Sequence, residues 1–200
     1  MNMDLFLVRH GETQWNVDGR FCGHSNPPLT ARGRDQARAL FDSIGSEIFD
    51  RVVSSPSIRA VETARLAHGE PVVDVRLSEL DFGDLEGLRW DECSLEIRRG
   101  LGDYDNFQAP RGESVRELGE RVSKALYDLG HGRHLVVTHG GVIRFLSGKA
   151  SMTDYPRTAT LIRLRTIVRR KSAGLVATCE VISNHSAIAS RSLRDSHLPP

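Results

Sequence analysis

The sequence predicts an α/β domain built on a mainly parallel sheet, and three observations carry that reading. Short apolar runs alternate along the chain with amphipathic helical stretches. Two of those runs, Leu5–Val8 and Leu135–Thr138, lead directly or one residue on into a histidine followed by glycine. The polar residues that follow the runs fall at the carboxyl ends of strands, where ligands bind in open α/β sheets.

The elements follow in order. Leu5–Val8 is a continuous apolar run and reads as a buried strand leading into Arg9-His10-Gly11. Glu12–Pro28 is polar, with Gly and Pro, and reads as a long surface loop. Thr30 caps a helix whose apolar face is Ala37, Leu40, Phe41 and Ile44. Val52-Val53 is a second strand before Ser54-Ser55-Pro56, and a helix with Pro56 in its first turn carries Ile58, Val61 and Leu66. Pro71–Val75 reads as a third strand and Leu80–Gly87 as a structured loop, while Asp91–Gly112 shows no readable pattern. Ser114 and Glu117 form a capping box for a helix with Val115, Leu118, Val122, Ala125, Leu126 and Leu129 on one face. Leu135–Thr138 is the next buried strand, and Val142–Leu146 opens the helix after it. Thr158–Leu164 and Leu175–Ser183 are later strands, the first of them a candidate edge strand. Residues 1–185 form one domain, and the polar, Ser-rich stretch 186–200 reads as a tail.

Composition narrows the function. At 200 residues the chain buries a sufficient core without disulfides or a structural metal. Its 27 basic and 26 acidic side chains nearly cancel, so an extended nucleic-acid surface is not indicated. Apolar runs are too short for a membrane span, and the N-terminus lacks a basic, cleavable leader. Three scattered cysteines, Cys22, Cys93 and Cys179, read as reduced thiols of a cytoplasmic protein. Zinc spacing around His131–His134, a P-loop and a GxSxG elbow are all missing from the sequence.

What remains is the strand–His–Gly pair. In LFLVRHGET a strand delivers an arginine fork suited to phosphate oxygens and a histidine able to act as nucleophile or proton carrier. Gly11 lets backbone approach closely. In LVVTHGGVIR the same arrangement recurs, with N–H groups near Gly140 and Gly141 at a helix N-terminus that favours an anion.

These segments resemble the histidine phosphatase superfamily, which includes the cofactor-dependent phosphoglycerate mutases. The resemblance rests on Arg9-His10-Gly11-Glu12-Thr13, Trp15-Asn16, Leu29–Gly33, Ser54-Ser55-Pro56 with Arg59, Glu79–Gly83 with Glu86-Gly87, Gly112-Glu113-Ser114 and Thr138–Gly141. It implies a three-layer α-β-α sandwich of the phosphoglycerate mutase-like kind. It also implies catalytic roles for His10, Glu79, His139, Arg9 and Arg59. His10 would be the nucleophile, its second ring nitrogen held by a backbone carbonyl near Gly11. Arg9, Arg59 and His139 would surround the phosphoryl group, with Asn16, Cys22, Gly23 and Gly140 as further phosphate or substrate contacts. Glu79 would protonate the leaving oxygen and later serve as base for water, a role that requires a protonated carboxyl at the start. His24 is a candidate for the pocket wall, Arg98 and Arg99 are candidates for a second substrate anion, and Arg32 and Arg34 read as solvated.

The implied activity is a metal-independent phosphomonoesterase that hydrolyses a small phosphorylated metabolite, without a cofactor. Partners reduce to that substrate, with no nucleic acid and no membrane, and the oligomeric state is open. The compact length and the absence of a readable substrate enclosure favour water as acceptor. The segment Phe21–Gly33 is similar to that of α-ribazole phosphatases, which are also compact. A cofactor-dependent phosphoglycerate mutase is the alternative within the family. A phosphate-binding regulatory protein without turnover is the alternative of another class, and it predicts loss of a core group that is present here.

Overall fold

The structure is a computed structural model that describes residues 2–148, 156–171 and 174–186. Its centre is a six-stranded sheet of β1 (Asn2–Arg9), β2 (Arg51–Ser54), β3 (Val72–Val73), β4 (Gly132–Thr138), β5 (Thr160–Lys171) and β6 (Gly174–Ser186). Their spatial order is β3-β2-β4-β1-β5-β6. The pairings β1–β4, β2–β4 and β2–β3 are parallel, and β5 runs antiparallel to both β1 and β6. The sheet is therefore mainly parallel, with a terminal hairpin added at one side.

The two faces of the sheet follow from alternation along its strands. Met3, Leu5 and Leu7 of β1, with Val136 of β4, pack into one core with the 15-residue helix α6 (Val115–Leu129) and with α7 (Gly140–Ser147). Phe6 and Val8, with Leu135 and Val137, pack on the other side against α2 (Ala31–Ala39), α3 (Phe41–Ile44) and α4 (Ile58–Ala67). Strands buried on both faces read as unbroken apolar runs for this reason. The helix α1 (Gln14–Val17) is a single capped turn, and α5 (Leu95–Gly102) lies in the stretch whose pattern was unreadable.

Several expectations change. Phe41 is 54% exposed, whereas Ala37, Leu40 and Ile44 of the expected face are buried. Pro56 precedes the Ser57 N-cap of α4 rather than lying in its first turn. That helix buries Arg59, Ala60, Thr63, Ala64 and Ala67, whereas Ile58 is exposed. Small residues let α4 lie close on the sheet, and the same face aims Arg59 and Thr63 at the strand ends. The third strand shrinks to Val72–Val73. Gly132–His134 belongs to β4 rather than to a loop. Thr160–Leu164 is not an edge: β5 is paired on both sides, and β6 takes the edge. The basic Arg163–Lys171 stretch lies within β5, which forms a hairpin with β6, and Arg163 pairs with Asp4 at 2.6 Å. The expected tail begins at the last residue of β6, and 187–200 lie outside the described residues. Within the described residues, no helix is long and apolar enough to cross a membrane.

Gly33 locks the site loop to α2. Its N–H donates to the Thr30 N-cap hydroxyl at 2.9 Å, and a Cβ there would overlap the Glu12 carbonyl oxygen. Helix propensity alone would make Gly33→Ala stabilising by about 1 kcal/mol. The backbone overlap reverses the sign: the substitution lowers stability by about 1–3 kcal/mol, a drop in Tm of roughly 2–10 °C. A thermal melt that stays level or rises would show that the loop yields.

Candidate active site

Three strand ends converge. The His10 N–H donates to Thr138 O at 3.0 Å, and the Ser55 N–H donates to Val137 O at 3.0 Å, so the ladder continues one residue past each strand. The side chains of His10, Ser55 and His139 thereby leave directly from the ends of the sheet ladder, and all three residues are buried. The rings of His10 and His139 meet edge to face with centroids 5.2 Å apart.

Hydrogen bonds assign the protons on both rings. His10 Nδ1 lies 2.7 Å from the Gly11 carbonyl oxygen, which can only accept, so Nδ1 carries the proton and donates. Nε2 is left with its lone pair. His139 Nδ1 lies 3.3 Å from the Arg59 Nη2, which can only donate, so this Nδ1 accepts. His139 Nε2 then donates to Ser55 Oγ at 2.6 Å. Burial lowers the pKa of both rings well below the ordinary histidine value, and the cations of Arg59 and Arg9 push the same way. In His10 the bond to Gly11 opposes this and does not prevail. Both imidazoles are neutral at neutral pH.

Arg59 is fully buried on α4. Its Nη1 donates to Ser25 O at 2.7 Å and its Nη2 to Gly23 O at 2.9 Å. Its Nε is buried without a partner among the described residues. Such an orphan donor costs about 1–3 kcal/mol or more for a charged group, and an anion would satisfy it. Arg9 lines the pocket and donates to Pro156 O at 2.6 Å. Thr63 accepts the Gly11 N–H at 3.0 Å and so ties α4 to the turn behind His10.

Glu79 faces the same pocket and is buried. Its Oε1 accepts the Leu80 N–H and its Oε2 the Gly141 N–H, each at 2.9 Å. The helix N-terminus expected to hold a substrate anion therefore holds the Glu79 carboxyl first. Behind it stands Arg121, which the sequence reading missed. Its Nη1 donates to Arg76 O and Ser78 O at 2.8 Å, and its Nη2 to Glu79 O at 2.9 Å. Its remaining donors form a two-pronged pair with Glu113 at 2.6 and 2.8 Å. The signal was an arginine on the inward face of an otherwise apolar helix, but sequence gave it no partner.

The remaining expectations divide. Asn16 lines the pocket, its Oδ1 taken by the Thr13 N–H and hydroxyl at 3.0 Å. Cys22 also lines it, but burial pushes its thiol up to about 11, so it is no thiolate at neutral pH. The Gly23 N–H is taken by Glu86 Oε1 at 2.8 Å, and Glu86 also accepts from the N–H groups of His24 and Ser25. That carboxylate occupies the loop donors that the sequence assigned to phosphate. Gly140 is the buried first residue of α7, next to His139. His24 is exposed and lies away from the pocket, 3.9 Å from Asp81. Arg98 braces its own loop through Cys93 O at 2.9 Å and Asp91 O at 2.8 Å, and neither it nor Arg99 lines the pocket. Arg34 pairs with Glu62 at 2.6 Å, whereas Arg32 borders the pocket beside Glu12. No cluster of metal-ligating side chains occurs among the described residues.

Known proteins match this arrangement. The model of the histidine phosphatase superfamily (branch 1) matches residues 5–165. The probable phosphoglycerate mutase GpmB of Enterobacter sp. (strain 638) is 40% identical over 150 residues, covering 69% of this chain and 70% of that protein. The adenosylcobalamin/alpha-ribazole phosphatase of Escherichia coli (strain K12) is 35% identical over 156 residues, covering 72% of this chain and 77% of that protein. A crystal structure of phosphoglycerate mutase from Thermus thermophilus superposes with a TM-score of 0.74 at 36% identity, covering 81% of this chain and 92% of that one. The chain belongs to the histidine phosphatase superfamily, and its fold is phosphoglycerate mutase-like.

The Arg121–Glu113 pair is mostly buried, with side chains 21% and 15% exposed. Arg121→Ala leaves Glu113 uncompensated and three carbonyls without a donor. It should cost about 2–3 kcal/mol, below the figure for a fully buried pair because some solvent remains. Urea unfolding of Arg121→Ala, Glu113→Gln and the double variant checks this. Additive losses in the double variant would show that the two residues do not act as a unit.

Proposed function

We propose that this member of the histidine phosphatase superfamily is a phosphomonoesterase that works through a phosphohistidine at His10, without a metal. The observation that carries the reading is the 2.7 Å contact of His10 Nδ1 with the Gly11 carbonyl oxygen, an acceptor that assigns the proton to Nδ1. With that proton held by Gly11 O, the only lone pair of the ring is on Nε2, and burial keeps it unprotonated. Glu79 lines the same cavity and supplies a carboxyl for the leaving oxygen.

In the first step, Nε2 attacks phosphorus and the bond from phosphorus to the alcohol oxygen breaks. The alcohol leaves with the proton of Glu79. In the second step, Glu79 as carboxylate takes a proton from water, whose oxygen attacks phosphorus. The phosphorus–nitrogen bond breaks, the electron pair returns to Nε2, and inorganic phosphate leaves. Charge building on the phosphoryl oxygens is met by Arg9 and Arg59, with the unpartnered Arg59 Nε a ready donor. Neutral His139, with its Nδ1 turned to Arg59 and its Nε2 to Ser55, orients that guanidinium rather than adding a full charge. The substrate is a small phosphorylated metabolite, and the site lies in the cytoplasm.

The GpmB relative favours one other reading, transfer of the phosphoryl group back to phosphoglycerate. The two readings differ in the acceptor of the second step. Phosphate release from p-nitrophenyl phosphate, phosphoserine, 3-phosphoglycerate and α-ribazole phosphate, in the presence of EDTA, decides between them. The wild type should release phosphate, and His10→Ala should lose it by about three orders of magnitude or more. The acid limb of kcat/KM should lie below pH 6.5, since the free enzyme's nucleophile stays unprotonated there. Silence on every ester, with isomerisation of phosphoglycerate in the presence of the bisphosphate, would establish the mutase instead. Release that persists in His10→Ala would remove the nucleophile.

A further inference from the structure

The phosphoryl end of the cavity is polar and accounts for His10, Glu79 and Arg9. Its other walls mix polar side chains, among them Asn16, Arg20, Arg32 and Arg157, with a set of aromatic ones. Both tryptophans of the chain, Trp15 and Trp90, line it, together with Phe21, Phe82 and Tyr104. In a protein with only 6% aromatic residues, that is a concentration at one place. Nor is it simply core: Trp90 is 39% exposed, and Trp15 and Phe21 are half-buried. Large aromatic faces left open beside a reactive group have burial energy still to gain, and a ligand can supply it.

The walls are held in place before any ligand arrives. The segment bearing Trp15 and Phe21 is stitched to the segment bearing Trp90. The Phe21 N–H donates to Leu88 O at 2.8 Å, the Gly87 N–H to Phe21 O at 2.9 Å, and Arg20 Nη1 to Gly87 O at 2.6 Å. Gly87 turns this segment with φ at 80°, the left-handed region that favours glycine, and its Cα side faces the Trp15 ring at ordinary contact distance. Phe21 and Phe82 pack with centroids 5.2 Å apart. Tyr104 donates its hydroxyl to Gly141 O at 3.1 Å, and the Arg144 guanidinium lies 4.0 Å over its ring. Fixed walls lose little conformational entropy on binding. The cavity measures about 530 Å³, within the range that encloses whole organic ligands and not only a phosphate.

We infer that the leaving group of the substrate carries a planar aromatic ring system, seated between Trp15, Trp90 and Phe21 while its phosphoryl group faces His10. The inference rests on the phosphomonoesterase reading for its turnover but not for its binding. A three-carbon polyol or acid would leave these faces wet, whereas an aryl group buries them. Each indole stacks on any planar ring, so the class is selected by shape and not by a hydrogen-bond code.

The test compares 2-(1-naphthyl)ethyl phosphate with ethyl phosphate. Both are esters of primary alcohols, so the bond broken is the same and only the appended ring differs. The ratio of their kcat/KM values should be at least tenfold in favour of the naphthyl ester. Trp90→Ala should bring that ratio down toward one, and Trp90→Phe should keep most of it. Because both tryptophans line the cavity, binding can also be read without turnover. Naphthylethyl phosphate should quench the intrinsic fluorescence of His10→Ala at concentrations at least about tenfold below those at which ethyl phosphate acts. His10-dependent release with a ratio near one would overturn the inference and leave the phosphatase standing. Absence of release from either ester would count against the phosphatase, and the fluorescence titration would still decide the aromatic site. Equal affinity for the two esters there would overturn it.

Discussion

The site depends on one short hydrogen bond, from His10 Nδ1 to the carbonyl of the next residue at 2.7 Å. A buried imidazole with no such partner is free to carry its proton on either nitrogen. With the partner present, the proton has one place and the lone pair has one direction. Burial then does the rest, since a charged ring has no solvent and faces Arg59 and Arg9. The neighbouring cations that suit a phosphoryl group also keep the His10 ring neutral. That bond in turn depends on the turn at Gly11, which is fixed by Thr63 of α4 and by close backbone contact with Gly33 of α2.

Around this centre, two sets of opposite charges act mainly on backbone. Arg59 binds the carbonyls of Gly23 and Ser25, while Glu86 binds the N–H groups of residues 23, 24 and 25. Loop 23–25 is thus held from both sides by opposite charges. Arg121, paired with Glu113, gathers the carbonyls of the segment that carries Glu79. Surface ion pairs contribute little, but charges that saturate buried peptide groups hold geometry. His10 and Glu79 thus sit on two separately clamped segments that line one cavity.

Much of this was legible in the sequence. Strands β1 and β4 were visible because both faces are covered and their residues are unbroken runs of apolar side chains. His10, Arg59, Glu79 and His139 stood out through motif context, and the fold brings them to one rim. Other features were hidden for physical reasons. Alternation says that α4 packs on the sheet, but not that alanines do it while Ile58 stays wet. The acceptors of Arg121 are carbonyls, which carry no side-chain identity, so no sequence pattern names them. The resemblance implies a phosphate contact at Gly23, yet Glu86, 63 residues away in sequence, already accepts its N–H. His24 belongs to that loop, but its N–H is spent on Glu86 and its side chain is exposed. The aromatic wall is drawn from five separate places in the chain and appears only after folding.

The central claim is that His10 Nε2 becomes covalently phosphorylated during turnover. Rapid mixing of the wild type with a phosphomonoester, an alkaline quench that preserves phosphohistidine, and mass spectrometry of the peptide spanning residues 9–20 test it directly. A transient mass increase of one phosphoryl group should appear on that peptide, placed by fragmentation on His10. The same increase should be larger in Glu79→Gln with a reactive aryl ester, because water then lacks its base. Turnover at full rate with an unmodified His10 peptide at every time point would contradict it.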